Sequence, residues 1–294
     1  MKYIEKHPII MIVIGVMGIS LSSIFVKYSN APSAVTAAYR LLWTILLMSP
    51  VTFGKSEIRK ELFGISTRNL LLSCFSGVFL AFHFTLWFES LRHTSVASST
   101  TIVCTEVIWV SLGYGLFLKG KMSFRAILAI VITLVGSAMI AFADATSGGG
   151  HLYGDLLSLL AAITVAAYVL LGRVVRASVS TTVYTFVVYA SCAFVLLFFC
   201  LFQKSSLLGY GPSAIVVGLL LAIFSTILGH SIFSWCLKYF SPSFVSASKL
   251  CEPVVAAILA SFLFGEAPVL LQIIGGVLII GGVFYYSRIE QQGE

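Results

Sequence analysis

The stretch "SSTTIVCTEVIWVSLGYGLFL", Ser98–Leu118, decides how the chain is read. After Glu106, twelve positions pass without a charge, and the nearest charges in sequence are Arg92 and Lys119. A run of this length and apolarity is what a helix needs to cross the hydrocarbon core, roughly 17–25 residues at ~1.5 Å rise each. A carboxylate inside such a run is expensive and calls for a partner or a cavity.

The rest of the chain has the same character. Of 294 residues, 59% are hydrophobic and 10% are charged, with a mean hydropathy of +1.03. Soluble domains carry about 25% charged residues. This chain cannot cover a water-facing surface, so it reads as an integral membrane protein, and its net charge of +7 is no footprint for nucleic acid. The six cysteines lie within apolar runs at spacings that suit neither a disulfide framework nor a metal motif, and they read as small apolar packers. No cofactor is expected.

Ten spans follow from the apolar runs: about 9–27, 33–53, 69–90, 94–118, 124–143, 154–172, 181–203, 213–237, 242–264 and 268–287. Pro8, Pro32, Pro212, Pro242 and Pro268 stand at or near span starts, where a missing N–H costs little. "SGGG" at 147–150 marks a break in the middle. Lys2 and Lys6 before Ile9 resemble a signal-peptide start, but the apolar run is too long and lacks a clear small-residue cleavage site. A retained first helix is expected.

Lysine and arginine set the orientation. With the N-terminus inside, thirteen of them fall on the cytoplasmic side, among them Lys55, Arg59, Lys60, Lys119, Lys121 and Arg173. Three (Lys27, Arg92 and Lys204) fall outside, and Arg40 and Lys249 fall within spans. Both termini are therefore expected in the cytoplasm and the protein in the cell membrane, the inner one in a bacterium.

Glu106 has a twin. A shift of 146 positions lays it on Glu252, Leu91 on Leu237, Arg92 on Lys238, Ser95 on Ser241, Gly136 on Gly282 and Lys27 on Arg173. The expected fold class is thus all-α, with ten transmembrane helices in two inverted five-helix repeats, 1–146 and 147–294. Five is odd, so the second repeat enters the bilayer upside down. Inverted repeats are typical of secondary transporters with a midplane site at the repeat interface.

"LWFESLRHTSVASSTTIVCTEVIWVSLGYGLFL", Leu86–Leu118, resembles spans three and four of the EamA-type drug/metabolite transporters. "SFVSASKLCEPVVAAILASFLFGEAPVLLQIIGGVLIIGGV", Ser243–Val283, resembles their spans nine and ten, with the Glu-Pro step, the Gly265–Glu266 pair and the glycine-rich last helix. The resemblance covers essentially the whole chain and implies a transporter of the amino-acid and metabolite exporter kind, without naming the cargo. Two departures stand out: Val107 stands opposite Pro253, and "KGK" at Lys119–Lys121 replaces a Gly-Glu-like pair.

The candidate substrate and proton path consists of Glu106, Glu252, Arg40, Lys249, His83, His230 and Trp109. Lys249 precedes Glu252 by three residues, on one helix face. Two carboxylates and two cations make either buried ion pairs that hold the repeats together or the polar floor of a cavity. His83 and His230 lie mid-span and are one position apart under the shift; each suits a proton relay or a bond to a neighbouring helix. Trp109 lies one turn from Glu106 and would offer an organic solute an aromatic wall. Pro253 removes a helical bond and frees the carbonyl of Lys249, a helix break beside Glu252. No His, Cys and carboxylate spacing suggests a metal. Gly275, Gly276, Gly281 and Gly282 allow close helix approach, within the chain or in a homodimer.

The function these features support is a secondary transporter that exports a small organic metabolite, such as an amino acid, by alternating access, with protons as the coupling ion. Its partners would be that solute, protons and the lipid bilayer. There is no nucleotide-binding motif, and an enzyme would need paired catalytic groups that the spans do not offer. The alternative is a non-transporting membrane receptor or scaffold whose buried ion pairs are structural.

Overall fold

The computed structural model describes residues 8–94, 96–144, 152–252, 254–255, 258 and 269–292. Every regular element among them is helical, and there is no strand. In chain order these are α1 (Pro8–Ser20), α2 (Ser22–Lys27), α3 (Ser33–Gly54), α4 (Ser56–Phe63), α5 (Thr67–His93), α6 (Val96–Cys104), α7 (Glu106–Leu118), α8 (Phe124–Asp144), α9 (Leu152–Val175), α10 (Thr181–Phe202) and α11 (Gly211–Leu220). A π-helix (Leu221–Ser231), α12 (Ile232–Cys236), α13 (Pro242–Ser248), a 3-10 turn (Lys249–Cys251) and α14 (Leu270–Gln292) complete the described chain.

Among the described residues, eight helices are long and apolar enough to cross a membrane: Pro8–Lys27, Ser33–Gly54, Thr67–His93, Ser99–Leu118, Leu152–Val175, Thr181–Phe202, Gly211–Cys236 and Leu270–Gln292. A shorter apolar helix, Phe124–Met139, occupies the place of the expected fifth span. The expected ninth span, 242–264, is described at 242–252, 254–255 and 258; its remainder lies outside the described residues, as do Pro253, Pro268, Gly265 and Glu266. The protein is a multi-pass membrane protein.

Local chemistry starts the helices where the sequence placed them. The hydroxyls of Ser66, Ser180 and Ser241 accept from the backbone N–H groups of Asn69, Val183 and Phe244 at the heads of α5, α10 and α13, each satisfying one of the donors a helix start leaves free. Pro212 and Pro242 sit in the first turns of α11 and α13. The eighth span continues from α11 into eleven π-helical residues. There the Thr226 hydroxyl turns back to the Leu221 carbonyl at 3.1 Å. A π segment widens the turn and re-aims the side chains beyond it, and such segments concentrate at functional sites.

The two halves interleave. α5 packs against α9 and α10, α3 against α10 and α11, α1 against the π-helix, α7 against α13, and α8 against α14. Glycine sets the last of these contacts: a Cβ at Gly136 on α8 would lie 2.6 Å from the Gly275 carbonyl on α14, and one at Gly282 would lie 2.5 Å from the Thr133 side chain. The glycine-rich last helix therefore packs within the chain at Gly275 and Gly282. A Cβ at Gly281 meets nothing within 4 Å. Large apolar side chains such as Phe194, Leu201, Val277 and Phe284 stand exposed on the bundle's outer face, as lipid contact requires.

Candidate functional site

Four buried charges converge where the halves meet. Arg40 comes from α3, Glu106 from the first turn of α7, Lys249 from the 3-10 turn after α13, and Glu252 from the residue that follows that turn. Arg40 is 0% exposed, Glu106 3%, Lys249 6% and Glu252 8%. They line one cavity together with His83 of α5 and His230 of the π-helix. Six of the seven residues singled out from the sequence thus share a single space.

The charges are partnered unequally. Lys249 Nζ donates to Glu106 Oε1 at 2.7 Å and lies 5.4 Å from the centroid of the Phe233 ring. Lys249 bonds this carboxylate of the other half, not the nearby Glu252 on its own segment. Arg40 Nε donates to the Thr226 hydroxyl at 2.7 Å, its Nη1 reaches the Ser22 hydroxyl at 3.5 Å, and its guanidinium carbon stands 4.1 Å from the Phe84 ring centroid. Its Nη2 has no hydrogen-bond partner. Glu252 makes no ion pair among the described residues, and its Oε1 is likewise unpartnered. A buried polar atom without a partner is costly, and here several face one cavity.

The neutral residues extend the pattern. His83 Nδ1 donates to the Ala161 carbonyl at 3.0 Å, and its ring stacks on Trp87 at 6.0 Å between centroids. The His83 and His230 rings lie 6.4 Å apart. His230 Nδ1, Trp87 Nε1 and Ser225 Oγ, all on cavity-lining residues, have no partner. Trp109 does not line the cavity and is half-buried; the indole at the site is Trp87. In sequence Trp87 is one aromatic among many in apolar spans, and Ser225 carries no signal, since a lone serine in an apolar run is common. The break expected at Pro253 lies outside the described residues, and the helix tightens to 3-10 geometry just before it.

The cavity encloses about 40 Å³. That is room for about three waters, far below the roughly 300–1,000 Å³ of a pocket that holds an organic ligand. Among the described residues no group of His, Cys, Asp and Glu side chains is arranged to hold a metal ion.

Known proteins match along nearly the whole chain. The profile of the EamA-like transporter family matches residues 7–142 and again 152–288. An uncharacterized transporter of Bacillus subtilis, YxxF, is 26% identical over 291 residues, covering 98% of this chain and 90% of its own. An uncharacterized transporter of Archaeoglobus fulgidus is 23% identical over 259 residues, covering 87% and 88%. A crystal structure aligns over 98% of this chain and 99% of its own with a TM-score of 0.78 at 15% identity, a likeness of fold.

Proposed function

The chain belongs to the EamA-like transporter family, and on that premise we propose that it is a secondary transporter moving a small charged organic solute through the cavity of Arg40 and Glu252. The observation that carries the proposal is the set of unpartnered polar atoms around that cavity: Arg40 Nη2 and Trp87 Nε1 from the first half, Ser225 Oγ, His230 Nδ1 and Glu252 Oε1 from the second. An anionic group on the solute satisfies Arg40 and Trp87, and a cationic or donor group satisfies Glu252. An amino acid or related compound offers both. The stacked His83 and Trp87 rings form an apolar wall beside these polar atoms.

Alternating access is the proposed mechanism, with 1–146 and 147–294 as inverted five-helix repeats. Two features support it: the family profile matches twice, and several of the main span contacts pair off when the halves are exchanged. The third span meets the sixth as the eighth meets the first, and the second meets the seventh, the fourth the ninth and the fifth the tenth. Two similar bundles packed in this way can rock about a fixed midplane site. The small volume of the cavity suits a state in which the bundles have drawn together about the site. The excess of Lys and Arg in alternate loops supports cytoplasmic termini and a cell-membrane location. Outward transport coupled to protons completes the reading.

The scaffold alternative draws on the Lys249–Glu106 pair, which suits a structural tie. It leaves Arg40 Nη2 and Glu252 Oε1 buried without a purpose. Proteoliposomes loaded with labelled amino acids test the proposal. Efflux is expected from the wild type and not from Arg40→Met; equal rates from both contradict it.

A further inference from the structure

Glu106 and Glu252 coincide under the 146-residue shift, yet their surroundings differ. The shift lays Lys249 on Val103 and Arg40 on Phe186, so each cation exists in one half only. Val103 itself lines the cavity, which shows the space a second lysine would have filled. The one lysine bonds Glu106 at 2.7 Å. Arg40 is held by Thr226 and Ser22. Glu252 is left facing the cavity without an ion pair among the described residues.

We propose that the two carboxylates have different tasks: Glu252 takes up and releases the coupling proton, and Glu106 is a fixed counter-charge for Lys249. The assignment rests on the reading of this cavity as the transport site. A coupling group has to be reachable from the cavity and free of a bonded cation. Glu106 fails the second condition, because protonating it strands the Lys249 ammonium in a buried place. Glu252 meets both.

The titratable and charged groups that face Glu252 are Lys249 and Cys251 of its own segment, Cys104 and Glu106 of α6 and α7, and, across the cavity, Arg40, His83 and His230. α8 and α14 also pack against the 3-10 turn, but 126–143 and 270–284 carry no titratable side chain. With Glu252 ionised, two cations balance two carboxylates. A proton on Glu252 removes the negative charge that a cationic group of the solute engages. Proton and solute therefore compete at Glu252, the negative linkage that carries the solute outward as protons enter.

Infrared pH-difference spectra of the purified protein in lipid test the assignment without any solute. Wild type is compared with Glu252→Gln and with the double variant Glu106→Gln/Lys249→Met, which removes the ion pair as a unit so that Lys249 cannot re-pair with Glu252. Exposed acids contribute equally to all three and cancel. The expected result is a titrating protonated-carboxyl band that Glu252→Gln removes and the double variant keeps. A band that survives Glu252→Gln, or that the double variant abolishes, overturns the assignment, as does a wild type from which Glu252→Gln subtracts nothing. If Glu252→Gln does not fold, Glu252→Asp is expected to shift the band, and an unshifted band overturns the assignment equally. Spectra that behave as expected in a protein that moves no solute count against the transport reading and leave the proton site standing.

Discussion

Lys249 Nζ and Glu106 Oε1 meet at 2.7 Å between two buried side chains, and the bond joins the second half of the chain to the first. A buried ion pair is weak evidence for stability, but removing one partner leaves an uncompensated charge at about 3–5 kcal/mol. Lys249→Met and Glu106→Gln are each expected to lose stability on that scale, and the double variant to recover most of it. Denaturation in detergent measures the cycle. Single variants as stable as the double would show that the pair carries no coupling.

Arg40 makes directional bonds that a lysine cannot reproduce. Arg40→Lys keeps the charge but loses the Nε bond to Thr226 at 2.7 Å and the guanidinium face over Phe84. A hydrogen bond to a charged group contributes roughly 1.5–3 kcal/mol, so solute binding is expected to weaken at least about tenfold. Titration of the two proteins with one solute checks this; equal affinity would place the solute away from Arg40.

The seam between α8 and α14 allows a paired test. Gly136→Ala forces a Cβ to within 2.6 Å of the Gly275 backbone, whereas Gly281→Ala meets open space. Overpacking of this kind costs about 1–3 kcal/mol, and a helical glycine replaced by alanine without a clash gains up to about 1 kcal/mol. Thermal unfolding is expected to separate the two variants in opposite directions.

Sidedness is checked by labelling. None of the six cysteines is exposed, so a membrane-impermeant thiol reagent has a low background. In intact cells Gln203→Cys is expected to react and Lys121→Cys to stay unlabelled until the membrane is opened. The reverse pattern would invert the orientation drawn from the Lys and Arg count.

The sequence made the charges at the site visible because a charge in an apolar run has so few harmless explanations. Arg40, Glu106, Lys249 and Glu252 stood out for that reason, and one cavity collects them. Which carboxylate Lys249 bonds was not visible. The i,i+3 spacing puts it on the same face as Glu252, and only the packing of α7 against α13 brings Glu106 to it. The π-helix from Leu221 was hidden as well, because uniform apolarity leaves no period by which to tell one helix type from another. Trp87 and Trp109 are both indoles in apolar spans. Helix rotation alone decides which one lines the cavity, and no charged neighbour in sequence reports that rotation.

The central claim is that the cavity of Arg40 and Glu252 is where the solute binds. The most direct measurement is a thermal-shift screen of the purified protein against amino acids, amines, nucleosides and organic acids, run beside Arg40→Met, Glu252→Gln and Gly281→Ala. A solute at ~100 times its Kd adds about 2.7 kcal/mol. The account predicts a stabilising solute whose effect disappears in both cavity variants and persists in Gly281→Ala. A solute that stabilises all four proteins equally would contradict it.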